Sequence, residues 1–155
     1  MELAREVGRL LKERKLTIAI AESCTGGLIQ KMLTDIPGSS EYFIGGVVAY
    51  SNLLKHKLLY VPMQTLITYG AVSYETACEM AWGIKELTGA SIGVSTTGIA
   101  GPTGGTLDKP VGLVYIGVCT EKGATAYKFL FNGTRQEIRE QTAIKALELV
   151  KNIRI

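Results

Sequence analysis

The sequence has little of what marks an exported, metal-binding or membrane protein. Only three cysteines occur among 155 residues, widely spread and without Cys-x-x-Cys spacing, and His56 is the one histidine. With no clustered carboxylates either, we expect no metal and no cofactor. No apolar run reaches the roughly 18 residues of a spanning helix. Residues 1–15 carry charges throughout and do not resemble an export signal, so we expect reduced thiols and a cytoplasmic location.

An excess of charge of one sign is also missing. Seventeen Lys and Arg oppose fourteen Asp and Glu, which gives a net charge of +3. The densest cationic stretch, residues 55–57, is too small to predict nucleic-acid binding. Hydrophobic residues make up 46% and charged residues 20%, as in folded globular proteins. We therefore expect one domain over residues 1–155, with neither nucleic acid nor membrane as a partner.

What is present in abundance is glycine, concentrated in two segments. Residues 21–27 and 95–105 each follow an apolar run. Residues 16–21 predict a buried strand and residues 28–33 the apolar part of a helix, so Ser23 lies at a strand-to-helix turn. Free N–H groups and the helix dipole favour negative charge there. The turn is therefore a place for a nucleophile or an anion.

Apolar periodicity predicts alternating helices and strands along the chain. Helices are expected at 2–14, 28–34, 52–59 and 74–87, and after a capping box of Thr134 and Glu137. Strands are expected at 16–21, 42–50, 91–97, 111–120 and 124–131, with a weak or bulged point at Gly45-Gly46. The predicted fold class is α/β: one domain with a mixed, mostly parallel sheet, helices on both faces, and a C-terminal β-hairpin followed by a helix.

Ser23 is a candidate nucleophile, although a serine at such a turn is more commonly a helix cap. The Gly-x-Ser-x-Gly elbow of α/β-hydrolases is not matched. Cys24 is an alternative nucleophile, but nothing in the sequence marks it as activated, and we interpret it as a small buried hydrophobe. The base would be His56, which lies between two lysines, or Lys55 if burial keeps its amine neutral. A solvated surface lysine is the simpler interpretation of Lys55.

The second glycine-rich segment and the last helix offer groups for an anion. The loop at 98–110 lacks the Walker A and Gly-x-Gly-x-x-Gly patterns, yet it has free amides and threonine hydroxyls after a strand end. A phosphate site and a mobile loop are both compatible with it. Arg135 and Arg139 share a helix face and either clamp a phosphate or pair with neighbouring glutamates.

Five segments in this order resemble the CinA C-terminal domain family across nearly the whole chain. They are Glu-Ser-Cys-Thr-Gly-Gly at 22–27, Val-Ala-Tyr-Ser-Asn at 48–52 with Lys55, and the segments 70–73, 98–102 and 109–112. Stand-alone members of this family are nicotinamide-nucleotide amidases of the PncC type. We expect that type here, without the fused N-terminal domain associated with nucleotide pyrophosphatase activity. The resemblance implies a homodimer that converts nicotinamide mononucleotide, its small-molecule partner, to nicotinate mononucleotide and ammonia.

The resemblance also implies roles for individual residues. Ser23 would be the nucleophile, with Tyr50 and Lys55 as the other catalytic residues. Substrate binding would fall to Glu22, Thr25, Gly26, Gly27, Thr97, Gly98, Gly101, Gly105, Arg135 and Arg139, with one of the two arginines at the phosphate. We expect neutral Lys55 to take the Ser23 proton, Tyr50 to orient or relay it, and amides of residues 25–27 to hold the oxyanion. The alternatives are a non-catalytic pyridine-nucleotide sensor and a scaffolding module.

Overall fold

The computed structural model describes residues 2–154. Its elements in chain order are α1 (Glu2–Arg14), β1 (Ile18–Glu22), α2 (Leu28–Thr34), a 3-10 helix (Ser39–Glu41), β2 (Phe43–Val48), α3 (Asn52–Leu59), α4 (Met63–Tyr69), α5 (Tyr74–Thr88), β3 (Ile92–Gly98), β4 (Leu113–Thr120), β5 (Gly123–Leu130) and α6 (Arg135–Lys151). Every predicted helix and strand is present. The predicted capping box of Thr134 and Glu137 at the start of α6 is confirmed.

Helix α4 is the element that the periodicity does not predict. It is seven residues long, and Leu66 is its one buried side chain. A helix this short, with one core contact, has no repeating apolar pattern that could reveal it. The same holds for the three-residue 3-10 helix.

The five strands form one sheet in the order β2-β1-β3-β4-β5. Strand β1 is central and pairs in parallel with β2 and β3, while β3, β4 and β5 are antiparallel neighbours. The mixed sheet and the C-terminal hairpin are confirmed. Among residues 2–154, two strand pairings are parallel and two are antiparallel, so the sheet is not mostly parallel. The reason is that β4 runs antiparallel beside β3. The register between β1 and β2 shifts where Ala19 pairs with Gly45, at the predicted bulge.

Each face of the sheet has its own apolar core, because side chains alternate across β1. Ile18 and Ile20 pack in the cluster formed with α1, α2 and α6. Ala19 and Ala21 point to the opposite face, into a cluster formed with α3, α4 and α5. Helices on both faces are thus confirmed. Within residues 2–154 no helix combines the length and the apolar character needed to cross a bilayer.

Helix α5 lies directly on the sheet, and two strand glycines make this approach possible. A Cβ on Gly93 would lie 2.1 Å from the carbonyl oxygen of Ala81, and one on Gly117 would lie 2.2 Å from that of Ala77. Any side chain at either position would push the helix away. The close contact fixes β3 and β4 against α5.

Candidate active site

The site lies at the carboxyl ends of the parallel strands. Strand β1 ends at Glu22, and the next residue, Ser23, opens a tight turn in which the Gly26 N–H donates to the Ser23 carbonyl at 3.1 Å. Gly26 and Gly27 have φ angles of 60° and 104°, the left-handed region that glycine adopts most easily. The glycines let the chain reverse at once into α2, which leaves Ser23 at the sheet edge.

Ser23 does not cap α2. The N-cap residue of that helix is Gly27, which has no side chain to offer. Instead the carboxylate of Glu22 accepts from the N–H groups of Ile29, at 3.1 Å, and Gln30, at 3.0 Å. Glu22 is fully buried. We therefore infer that Glu22 holds the serine turn against α2, whereas the sequence predicted that it contacts the substrate.

Lys55 is brought to Ser23 by helix α3. Ser51 caps this helix by accepting from the Leu54 N–H at 3.2 Å, and Lys55 follows in its first turn. Its Nζ lies 2.9 Å from Ser23 Oγ, 2.9 Å from the carbonyl oxygen of Ala49 and 3.0 Å from that of Tyr50. The lysine is only 1% exposed. The surface interpretation of Lys55 is therefore excluded.

Burial lowers the pKa of Lys55 from 10.5 to about 8, since the charged form loses its hydration. At pH 7 roughly one-tenth of the side chain is then neutral, against about one in 3,000 for an unperturbed lysine. A neutral amine has two N–H donors and one lone pair. The two carbonyls take the donors, so the lone pair is left for the Ser23 hydroxyl. This arrangement equips Lys55 to act as a base.

Tyr50 contributes to this arrangement through its main chain. Its carbonyl accepts from Lys55, whereas its side chain is 63% exposed and its hydroxyl accepts from Arg135 Nη2 at 3.1 Å. The hydroxyl is thus engaged with an arginine rather than with the Ser23–Lys55 pair. The Tyr50 carbonyl thus contacts the Lys55 amine, and the geometry gives no proton relay through the tyrosine ring.

A cavity of about 160 Å³ opens over Ser23 and Lys55. Predicted residues that line it are Ser23, Tyr50, Lys55, Thr97, Gly98 and Arg135, and they are joined by Cys24, Ala71, Val72 and Ala100. The Thr97 hydroxyl donates to the carbonyl of Ala71 at 2.8 Å, which fixes that wall. Arg135 Nη1 donates to the carbonyl of Gly101 at 2.8 Å. Gly101 therefore acts by holding the arginine.

The other predicted binding residues lie outside the cavity lining. The hydroxyl of buried Thr25 bonds that of Thr96 at 2.7 Å, which ties the serine turn to β3. Gly26 and Gly27 shape the turn itself. Arg139 donates to the main-chain carbonyls of Cys24 and Thr25. Gly105 packs closely on Val111, within the loop.

The competing catalytic groups are placed unfavourably. Burial raises the pKa of Cys24 to about 12, so its sulfur is a thiol at neutral pH and a poor nucleophile. The Nδ1 atom of His56 bonds the carbonyl of Val61 at 2.8 Å, near the end of α3. In residues 2–154 no three His, Cys, Asp or Glu side chains are grouped so that they could hold a metal ion.

Sequence reasoning missed the main-chain groups that orient Lys55 and one wall of the cavity. A sequence pattern describes side chains, so it could not predict that the carbonyls of Ala49 and Tyr50 bind Lys55. Ala71 and Val72 lie within the segment 70–73 that the family resemblance singles out, and this was the available signal. A larger groove of about 460 Å³ lies along β5 and the end of α6, but no serine–lysine pair lines it.

The sequence model of one family, the "CinA C-terminal domain", matches residues 1–153. The chain belongs to this family. A CinA-like protein from Endomicrobium trichonymphae is 54% identical over 149 residues, which cover 96% of this chain and 35% of that protein. A CinA-like protein from Desulfotalea psychrophila is 51% identical over 149 residues, with 96% and 36% covered. This CinA C-terminal domain thus spans just over a third of the length of these curated relatives.

Solved structures agree with the fold of this CinA C-terminal domain. The competence/damage inducible protein CihA from Agrobacterium tumefaciens superposes with a TM-score of 0.93 at 42% identity, over 96% of this chain and 92% of that one. A CinA superfamily protein from Klebsiella pneumoniae gives a TM-score of 0.94 at 31% identity, over 97% and 94%. The arrangement of helices and sheet is therefore that of the family.

Proposed function

We propose that this domain is a nicotinamide-nucleotide amidase that hydrolyses the carboxamide of nicotinamide mononucleotide. The observation that carries the proposal is the pair of Ser23 Oγ and buried Lys55 Nζ, 2.9 Å apart at the floor of a cavity. A serine beside a desolvated lysine is a nucleophile with its own base. Membership of the CinA C-terminal domain family supports the choice of substrate.

The first step is attack by the serine. Neutral Lys55 takes the Ser23 proton as Oγ bonds to the carboxamide carbon, which gives a tetrahedral intermediate with a negative oxygen. That intermediate collapses, the C–N bond breaks, and the Lys55 proton goes to the leaving nitrogen, so ammonia departs. Water then attacks the acyl-serine ester with Lys55 again as base, which releases the carboxylate and restores Ser23.

The negative oxygen needs donors, and the serine turn supplies them. The Gly26 N–H, which we expected to take part, is already bonded to the Ser23 carbonyl. No main-chain carbonyl within residues 2–154 accepts from the N–H groups of Cys24, Thr25 and Gly27. We assign the oxyanion to the N–H of Cys24, which lines the cavity beside the nucleophile. A single such donor contributes on the order of 10²–10³ in rate.

The size and charge of the cavity support a substrate of two parts. At about 160 Å³ it is smaller than the roughly 300–1,000 Å³ of typical ligand sites. It suits the pyridine carboxamide, while the ribose and phosphate extend over its mouth. Arg135 lies at that mouth and is the cation best placed for the phosphate. The homodimer implied by the resemblance stays a prediction, for which exposed Ile44, Val48 and Leu53 offer an apolar surface.

The test is ammonia release from nicotinamide mononucleotide. We expect turnover by the unmodified protein, and a loss of at least about 1,000-fold in Ser23→Ala and in Lys55→Met. Ser40→Ala and Lys57→Met, which change exposed residues of the same types, should keep full turnover. Binding without ammonia release would instead make the domain a nucleotide sensor. Turnover that survives in Ser23→Ala would refute the proposed nucleophile.

A further inference from the structure

The two arginines at the start of α6 make different contacts, although they lie one helical turn apart. Arg135 is exposed at the cavity mouth, where it donates to Gly101 and Tyr50. Arg139 is half-buried, and its Nε donates to the Cys24 carbonyl at 3.0 Å while its Nη2 donates to the Thr25 carbonyl at 3.1 Å. Arg135 thus lies at the cavity, and Arg139 binds the main-chain carbonyls of the serine turn.

We infer that Arg139 is a positioning residue that holds the Ser23 turn in its reactive shape, and that Arg135 alone meets the anionic part of the substrate. The inference rests on the proposed function, because it concerns how Ser23 is presented for attack. It divides a pair of residues that look equivalent in the sequence.

The main-chain geometry of the turn explains what Arg139 controls. In a trans peptide the N–H points away from the carbonyl. Since the Cys24 carbonyl points at the guanidinium, the Thr25 N–H points to the opposite side, where no main-chain carbonyl in residues 2–154 accepts from it. Arg139 thus fixes the peptide plane that follows Cys24, the residue whose N–H we assign to the oxyanion.

The surroundings of Arg139 are fitted to this task. A Cβ on Gly26 would lie 2.8 Å from Nη2, so glycine there leaves the space that the guanidinium fills. No ion pair within residues 2–154 includes Arg139. Its full charge therefore acts on the two carbonyls, and charge-assisted hydrogen bonds of this kind are stronger than neutral ones.

Steady-state kinetics on nicotinamide mononucleotide separates the two roles. We expect Arg139→Gln to lower kcat by about 10- to 100-fold with little change in KM, because a misplaced nucleophile slows the chemical step. Arg135→Gln, its matched control on the same helix, should raise KM by about tenfold or more. Gly26→Ala, which displaces the guanidinium, should resemble Arg139→Gln.

A covalent probe tests the inference independently of the substrate. With a small fluorophosphonate, Lys55 takes the Ser23 proton, Oγ bonds to phosphorus, and the P–F bond breaks to release fluoride. Mass spectrometry follows the rate of this reaction at Ser23. We expect Arg139→Gln to react about 10- to 100-fold more slowly than the unmodified protein. Arg5→Gln, which changes an exposed arginine of α1 away from the site, should react equally fast. In Arg139→Ala, millimolar guanidinium ion should restore part of the rate, which a protein that had merely lost its fold would not show.

The outcomes distinguish the two proposals. If the unmodified protein reacts with the probe but releases no ammonia from the nucleotide, the substrate is wrong and the role of Arg139 still stands. If Arg139→Gln reacts as fast as the unmodified protein, the positioning role is refuted whatever the turnover. If Ser23 of the unmodified protein does not react at all, both proposals fail.

Discussion

Replacing Lys55 by methionine should change how the stability of the protein depends on pH. Burial lowers the pKa of Lys55 in the folded protein to about 8, whereas an unfolded chain has the ordinary value of 10.5. Each pKa unit corresponds to about 1.4 kcal/mol, so keeping this lysine buried costs about 3 kcal/mol at neutral pH. Methionine fills a similar volume without a charge and removes that cost.

The sign follows from proton binding. Below pH 8 both states hold the proton and the full cost applies. Between about pH 8 and 10.5 only the unfolded state keeps it, so the stability of the unmodified protein rises with pH. Between pH 7 and pH 10 it should gain about 2.5 kcal/mol relative to Lys55→Met.

The difference in stability at pH 7 alone is a poor test. Methionine also leaves the carbonyls of Ala49 and Tyr50 without their donor, and each lost hydrogen bond costs about 1 kcal/mol. This cost offsets most of the gain from removing the charge. The cost of the lost hydrogen bonds does not depend on pH, so it does not affect how the stability difference changes with pH.

The assay is urea unfolding of both proteins at several pH values from 7 to 10, followed by circular dichroism. Lys57→Met, on the same helix but exposed, serves as the control and should show a constant difference from the unmodified protein. A difference between Lys55→Met and the unmodified protein that stays flat across this range would mean that Lys55 titrates as an ordinary lysine. Lys55 would then be fully charged at neutral pH and could not be the base.

Two further predictions follow from the site. The kcat of the amidase should rise about tenfold per pH unit below pH 7 and level off above an apparent pKa of about 8, because Lys55 acts as a base only when neutral. A pH–rate profile in which kcat does not rise in this way would contradict the role of Lys55. Glu22→Gln should destabilise the protein by about 1–3 kcal/mol in urea unfolding, since the amide has one acceptor oxygen where the N–H groups of Ile29 and Gln30 now use two. Unchanged stability would show that α2 does not need the carboxylate as a cap.

Much of the fold could be predicted because local signals agree with the packing. Helix α3 has a serine cap at its start, and α5 has Ser73 at its start and Gly89 at its end. These residues predict the helix boundaries from the sequence. Helix α4 has neither a side-chain cap nor an apolar repeat. Its position depends on Leu66 reaching a core that exists only in three dimensions.

The pairing of Ser23 with Lys55 follows from strand order. Strands β1 and β2 are parallel, and Glu22 lies opposite Val48, so the residues that follow both strands meet at one edge of the sheet. That edge could be anticipated from the sequence. The separate roles of Arg135 and Arg139 could not, because they depend on how α6 is rotated about its axis when it packs.

The position of α6 has a consequence for the order in which the protein becomes active during synthesis. Ser23 and Lys55 are made early, but the guanidinium that grips the serine turn belongs to residue 139. A ribosome-bound chain that already holds β1, β2 and α3 therefore carries its nucleophile in an unbraced loop. Ser23 should therefore become fully reactive late in synthesis, once α6 has formed and Arg139 binds the serine turn.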